Sequence, residues 1–203
     1  MNCVDFSPLK KIIKNELEAD IACGDITTES IIPSDIKASA VIQAQESGVI
    51  CGISVAREVF LSKNNKIRFK ALVEDGARVK KGQIIAGLTG SARDILSCER
   101  TALNFLSFLS GISTRTDMFV RKVKPYKAKI LDTRKTIAGL RALEKYAVRV
   151  AGGYNHRKRL DQMVLVKDNH IAVVRRSYAS FRAYSHFFSL KELIFQVRKK
   201  IPK

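Results

Sequence analysis

The chain has 203 residues, 46% hydrophobic and 28% charged, with 4 Cys and no Trp. That composition supports a buried core and excludes a chain disordered by composition, and no window approaches the 18 apolar residues of a membrane-spanning helix. The formal charge of +18 is uneven: residues 1–120 carry 15 basic and 14 acidic side chains against 22 and 5 in residues 121–203, which excludes a uniformly basic surface and leaves an anion-handling site, a nucleic-acid face or a basic tail.

In chain order, Ser7 and Pro8 ahead of Leu9, Ile12, Ile13 and Leu17 predict an amphipathic helix running to about Ala19, with an N-cap and a proline at its first position. Cys23-Gly24-Asp25 breaks it. Lys37–Gln45 alternates as a strand does, Gly48–Ile53 continues as a glycine-punctuated apolar run, and Lys66–Val73 and Gln83–Leu88 are strand-like. With turn signals at Asp75-Gly76 and Lys81-Gly82, the region from Lys37 to Gly90 is expected to be a small sheet. Helical spacing starts at Ser91, is expected to be interrupted at Ser110-Gly111-Ile112-Ser113, and resumes over Asp117–Lys124 until Pro125. The domain boundary is placed there, giving domains 1–110 and 111–203.

Beyond it, Lys129–Lys135 and Met163–His170 are each an apolar run ending in polar and charged residues, with a helix expected over about Ile137–Val150 between them. Two such strands around a helix predict an α/β fold with a parallel sheet or barrel, whose ligands bind at the carboxyl ends of strands. Three clusters fall where a site would be: Asp132-Thr133-Arg134-Lys135, Asn155-His156-Arg157-Lys158-Arg159 and Lys167-Asp168-Asn169-His170. If the strands are parallel neighbours, Arg134, Lys135, Arg157 and Lys167 converge. Cations gathered in a site shielded from water repel unless an anion joins them, and guanidinium groups suit carboxylate or phosphate. The plain alternative is solvated charge at loop starts.

Cys3, Cys23, Cys51 and Cys98 form no CxxC pair and fit separate reduced thiols. Met1–Lys11 lacks the apolar stretch of a secretion signal, so a soluble cytoplasmic protein is expected. His156 and His170 match no zinc spacing, and there is no nucleophile elbow or Walker-type loop, which disfavours covalent nucleophilic catalysis.

Six motifs occur in order: Gly24-Asp25-Ile26-Thr27-Thr28-Glu29-Ser30, Cys98-Glu99-Arg100-Thr101-Ala102-Leu103-Asn104-Phe105-Leu106, Ser110-Gly111-Ile112-Ser113-Thr114, Leu131-Asp132-Thr133-Arg134-Lys135-Thr136, Gly152-Gly153 with Asn155-His156-Arg157, and Val166-Lys167-Asp168-Asn169-His170-Ile171. Over roughly residues 9–171 the chain closely resembles the family of nicotinate-nucleotide pyrophosphorylases (carboxylating), or quinolinate phosphoribosyltransferases. The resemblance implies an N-terminal α/β sandwich domain followed by an incomplete α/β barrel of the type II phosphoribosyltransferase kind. It implies phosphoribosyl transfer from phosphoribosyl pyrophosphate, brought with Mg²⁺, to quinolinate, with decarboxylation to nicotinate mononucleotide in NAD biosynthesis. By the same resemblance Thr133, Arg134, Lys135, Arg157 and Lys167 hold carboxylate and phosphate groups with His156 beside them, and Lys135, Lys167 and His156 are the catalytic candidates. Arg100 is implied to reach the partner's site in a homodimer whose N-terminal domains cover the opposite barrel mouths.

Residues 172–203 contain 8 basic and 1 acidic side chains, 6 of the 15 aromatics and no Gly. Ser189–Pro202 is expected to be a helix with Leu190, Leu193, Ile194 and Val197 on one side, and Arg175–Phe188 an insertion or frame-shifted segment. The family's acidic metal ligands are expected past Lys203, so the chain is expected to be C-terminally truncated, to hold no metal ligand and to have weak or no transferase activity alone. The competing reading is an inactive paralogue or fragment whose basic tail binds nucleic acid or a partner chain. Nucleic acid is disfavoured because no RNA-binding motif accompanies Arg175, Arg176, Tyr178, Phe181, Arg182 and Tyr184. The Glu74–Gln83 hairpin also resembles a biotinyl or lipoyl carrier module but lacks its lysine motif.

Overall fold

The computed structural model describes residues 7–180 and 190–201, with side chains from 9–176 and 190–201. It divides into two compact units, Met1–Lys158 and Arg159–Lys203. In the first, helix α1 (Ser7–Ile21) buries Leu9, Ile13 and Leu17, the stripe its spacing predicts. A short helix α2 (Ile26–Ile31) follows the Cys23–Asp25 break, in a stretch with no apolar periodicity to announce it. Its start is closed locally: Asp25 accepts from the Thr28 N–H at 3.0 Å, and Glu29 accepts from the Asp25 N–H at 3.3 Å. The first of the six motifs is therefore a helix start.

Strands β1 (Lys37–Gln43), β3 (Arg68–Ala71) and β5 (Ile84–Ser91) form an antiparallel sheet in the order β1-β5-β3, and β2 (Gly48–Val49) pairs with β4 (Arg78–Val79). The apolar run Gly48–Ile53 is strand only over its first two residues. It turns into helix α3 (Ile53–Lys63), which buries Val55, Ala56, Val59 and Phe60. Asp75 closes that helix start from another segment, accepting from the Gly52 and Ile53 N–H groups, both at 2.9 Å. The Glu74–Gln83 region thus braces a helix and supplies β4.

Helix α4 (Ala92–Val123) runs unbroken through Ser110–Ser113, against the expected interruption, and a division at 110/111 falls inside it. Serine and threonine unsettle helices when their hydroxyls compete for nearby backbone, but here the hydroxyls are engaged across the fold. Ser110 accepts from the Cys51 N–H at 3.0 Å, Thr114 accepts from the Val49 N–H at 2.9 Å, and buried Ser113 donates to the Ala147 carbonyl at 2.8 Å. One face of α4 is thereby sewn to the β2 run and another to helix α5 (Arg141–Val150). Cys98, Ala102, Phe105 and Leu109 of α4 join Val59, Phe60 and Leu88 in one core.

Of the two strands expected around α5, Lys129–Lys135 keeps only a single parallel bridge, from Leu131 to Tyr154, so its partner is the segment after α5 and not Met163–His170. Met163, Val164 and Leu165 are exposed and belong to no strand, because an extended segment becomes a strand only with a paired neighbour. In the second unit, α6 (Asp168–Ser180) begins directly after Lys167 and α7 (Leu190–Lys200) matches the expected terminal helix. Arg175–Ser180 is the end of α6; residues 181–188, the rest of the Arg175–Phe188 segment, lie outside the described residues.

Candidate active site

The site candidates of the first unit are assembled by the Leu131–Tyr154 bridge. The Tyr154 N–H donates to the Ile130 carbonyl at 2.9 Å and the Asp132 N–H to the Tyr154 carbonyl at 3.1 Å. Two parallel segments therefore end side by side, and from those ends leave Thr133-Arg134-Lys135 and His156-Arg157. Gly153 makes this possible. A Cβ there would stand 2.7 Å from Val148 Cγ1 and 3.0 Å from Thr116 Cγ2, so only a residue without a side chain lets the backbone pass between α5 and α4.

A buried polar junction fixes the two ends. Asp132 is ion-paired with Lys145, whose side chain is 1% exposed. The other carboxylate contacts are the His156 N–H at 2.8 Å and the Asn155 amide at 2.7 Å. The Lys145 ammonium also donates to the His156 carbonyl at 3.2 Å, and the Asn155 amide to the Lys145 carbonyl at 2.9 Å. Around the junction, Thr133 accepts from the Lys135 N–H at 3.0 Å, shaping the first loop as a hydroxyl turn. Arg157 is 8% exposed, and the half-buried Arg134 has its Nε enclosed without a hydrogen-bond partner among the described residues. Arg141, at the start of α5, straddles both loops, donating to Thr136 Oγ1 at 3.2 Å and to the Lys158 carbonyl at 3.4 Å.

Thr133, Arg134, Lys135, His156 and Arg157 thus share one end of the paired segments. Arg100 is exposed on α4, between buried Cys98 and Thr101. Lys167 lies in the second unit as the capping residue of α6. Its N–H donates to His170 Nδ1 at 3.0 Å, the half of a capping box in which the third helical residue reaches back, and its carbonyl accepts from the Ile171 N–H at 3.1 Å as the first bond of the helix. Neither of the two cavities along α4, about 430 and 590 Å³, is lined by any of these seven residues.

Residues 25–110 match the family model described as quinolinate phosphoribosyl transferase, N-terminal domain, and residues 112–196 match its C-terminal domain. The chain is 35% identical to a solved structure of NadC from Streptococcus pyogenes, with a TM-score of 0.89, covering 100% of this chain and 67% of that one. The nicotinate-nucleotide pyrophosphorylase of Francisella tularensis is 36% identical with a TM-score of 0.80, over 98% of this chain and 74% of that one. The chain belongs to the quinolinate phosphoribosyltransferase family.

Among curated family members, nicotinate-nucleotide pyrophosphorylase [carboxylating] of Mycobacterium leprae is 42% identical over 184 residues, 88% of this chain and 64% of that protein. A probable counterpart from Methanocaldococcus jannaschii is 44% identical over 189 residues, 92% and 65% respectively. The chain spans just under two thirds of these relatives' length. The family match runs to residue 196, so it extends through the basic segment beyond Ile171, where the motifs end. The mixed α/β fold with its N-terminal small-sheet domain is of the class that the family resemblance implies, and where that resemblance implies barrel strands the described residues are mainly helical. No helix among the described residues is long and apolar enough to cross a membrane.

Sequence reasoning passed over Lys145 and Arg141. The buried Leu143 and Ala147 define the core face of α5, and Lys145 lies two residues from each, on the side a helical wheel assigns to solvent. The available signal was Asp132, a lone carboxylate closing an apolar run among Lys129, Arg134 and Lys135. His170, singled out as an isolated histidine, is accounted for as part of a helix start.

Proposed function

We propose that this chain catalyses the family reaction, with weak turnover on its own: transfer of the phosphoribosyl group of phosphoribosyl pyrophosphate to quinolinate with loss of carbon dioxide. The observation that carries the reading is the junction that aims two cationic motifs from the same end of a parallel pair, with Arg134 Nε enclosed and unanswered among the described residues. An unpaired buried donor is costly, and an oxyanion relieves it. In this reading Arg134 and Arg157 grip carboxylate or phosphate oxygens in bidentate fashion, Lys135 and Lys167 supply point charges, and Thr133 and His156 complete the cradle. Lys135, Lys167 and His156 are the catalytic candidates, and Arg100 reaches the site of a partner subunit in a homodimer.

The chemistry follows from that charge. The bond from ribose C1 to the pyrophosphate oxygen breaks, the electron pair leaving with pyrophosphate, and the quinolinate nitrogen forms the new bond to C1. Fixed cations near the departing oxygens stabilise the charge that develops there. The now cationic ring then accepts the electrons of the C2–carboxylate bond as carbon dioxide leaves, and C2 takes up a proton to give nicotinate mononucleotide. Mg²⁺ enters as the counter-ion of phosphoribosyl pyrophosphate. The donors on these two loops are cationic and suit phosphate rather than a metal, and no group of three His, Cys, Asp or Glu side chains among the described residues is arranged to hold one. The reading includes a cytoplasmic location, in keeping with free Cys23, Cys51 and Cys98, and a two-domain organisation dividing near residue 111. Quinolinate-dependent release of pyrophosphate and carbon dioxide in equal amounts tests it; pyrophosphate release indifferent to quinolinate overturns it.

A further inference from the structure

We infer that Lys145 is a positioning residue of the anion site, a buried clamp that holds the Thr133–Lys135 and His156–Arg157 loops in mutual register. The inference rests on the transferase reading above and adds a residue to it. Lys145 touches no loop side chain that would meet substrate. Its ammonium instead joins the residue just before Thr133 to the residue just before Arg157, through the Asp132 carboxylate and the His156 carbonyl.

His156 is consequently held at both of its peptide groups, its N–H by Asp132 at 2.8 Å and its carbonyl by Lys145 at 3.2 Å. The Asn155 amide closes the ring between Asp132 and the Lys145 carbonyl. Burying an ammonium and a carboxylate is unfavourable beside an apolar pair of the same shape, so stability alone is a poor reason for this ion pair. A geometric role accounts for it. Two segments joined by a single bridge slide or splay easily, and each carries an arginine whose bidentate grip depends on orientation. The clamp substitutes for the longer ladder that these segments lack.

The test compares the wild-type chain with Lys145→Met and with the double variant Asp132→Asn/Lys145→Met, which avoids an uncompensated buried carboxylate and preserves shape. The probe is phthalate, whose two adjacent carboxylates match those of quinolinate on a ring that cannot be phosphoribosylated. In the folded double variant, amide exchange in residues 131–135 and 154–158 is expected to accelerate while α4 stays protected. Phthalate binding per folded molecule is expected to weaken about tenfold or more, the scale of a misplacement near 1 Å. A purely structural lysine would lower global stability and leave per-molecule affinity unchanged, and that result overturns the inference alone. Loops that exchange as in wild type overturn it equally. Wild-type chain that fails to bind phthalate overturns the transferase reading and this inference with it.

Discussion

Gly153→Ala ties the packing of the fold to the function of the site most closely. The added Cβ would lie 2.7 Å from Val148 Cγ1, 3.0 Å from Thr116 Cγ2 and 3.0 Å from the Val148 carbonyl oxygen. Carbon atoms in contact settle near 3.5–4.0 Å, so the segment must retreat by about 1 Å. Overpacking of that kind costs about 1–3 kcal/mol, or roughly 2–4 °C of Tm per kcal/mol for a chain of this size. The retreat moves Tyr154, and with it the bridge to Leu131 and the His156 N–H bond to Asp132. Gly152→Ala is the matched control. Gly152 has φ +83° and its Cβ would meet Val120 Cγ1 at an ordinary 3.5 Å, so alanine there costs about 1–2 kcal/mol of left-handed strain without displacing the loop. Urea unfolding and phthalate titration of both variants read the difference. Gly152→Ala should lose stability and keep affinity, while Gly153→Ala should lose both, with affinity down tenfold or more at about 1 Å of displacement. If Gly153→Ala stays within about 0.5 kcal/mol of wild type and binds phthalate equally well, the close-approach argument is wrong.

Two further outcomes follow from the packing around α4 and the buried thiols. Gly111 sits inside α4 with nothing within 4 Å of a built Cβ, so Gly111→Ala should stabilise by about 0.5–1 kcal/mol; a drop in the urea midpoint would mean that this position serves a contact or a bend. Burial pushes the Cys51 and Cys98 thiols from 9.0 up to about 12, with the Asp75 carboxylate adding to the effect at Cys51. The folded chain keeps protons that the unfolded chain sheds, so this stabilisation is complete below pH 9 and is lost as pH rises towards 12, at about 1.4 kcal/mol per pH unit per thiol. Unfolding curves from pH 8 to 10.5 should show that decline, and exposed Cys23 should react with a thiol reagent well before the buried pair; a flat profile contradicts it.

Much of the first unit was legible because its elements follow one periodicity each. Leu9, Ile13 and Leu17 mark α1, alternation marks β1, and the three-and-four spacing from Ile95 marks α4. The errors fall where a distant residue completes an element. Helix α3 starts on a cap supplied by Asp75, 22 residues away from Ile53, and α4 survives Ser110–Ser113 because its hydroxyls are bonded to other segments. The Met163–Leu165 run has strand composition, yet composition cannot supply the neighbour that a strand requires. In the site, Arg134, Lys135 and Arg157 were legible as charges closing apolar runs. Lys145 was not, because helical periodicity treats a lysine off the core face as solvated, and only the fold reveals that Asp132 waits there.

The central claim is tested most directly by supplying phosphoribosyl pyrophosphate, Mg²⁺ and quinolinate labelled in its C2 carboxylate to the wild-type chain and to Arg134→Gln. Labelled carbon dioxide and pyrophosphate should appear in equal amounts from wild type. Arg134→Gln should raise the KM for quinolinate roughly tenfold or more, as loss of a hydrogen bond to a charged group worth about 1.5–3 kcal/mol requires. No labelled carbon dioxide from the wild-type chain at saturating substrates, or an Arg134→Gln variant with wild-type KM, would contradict the account.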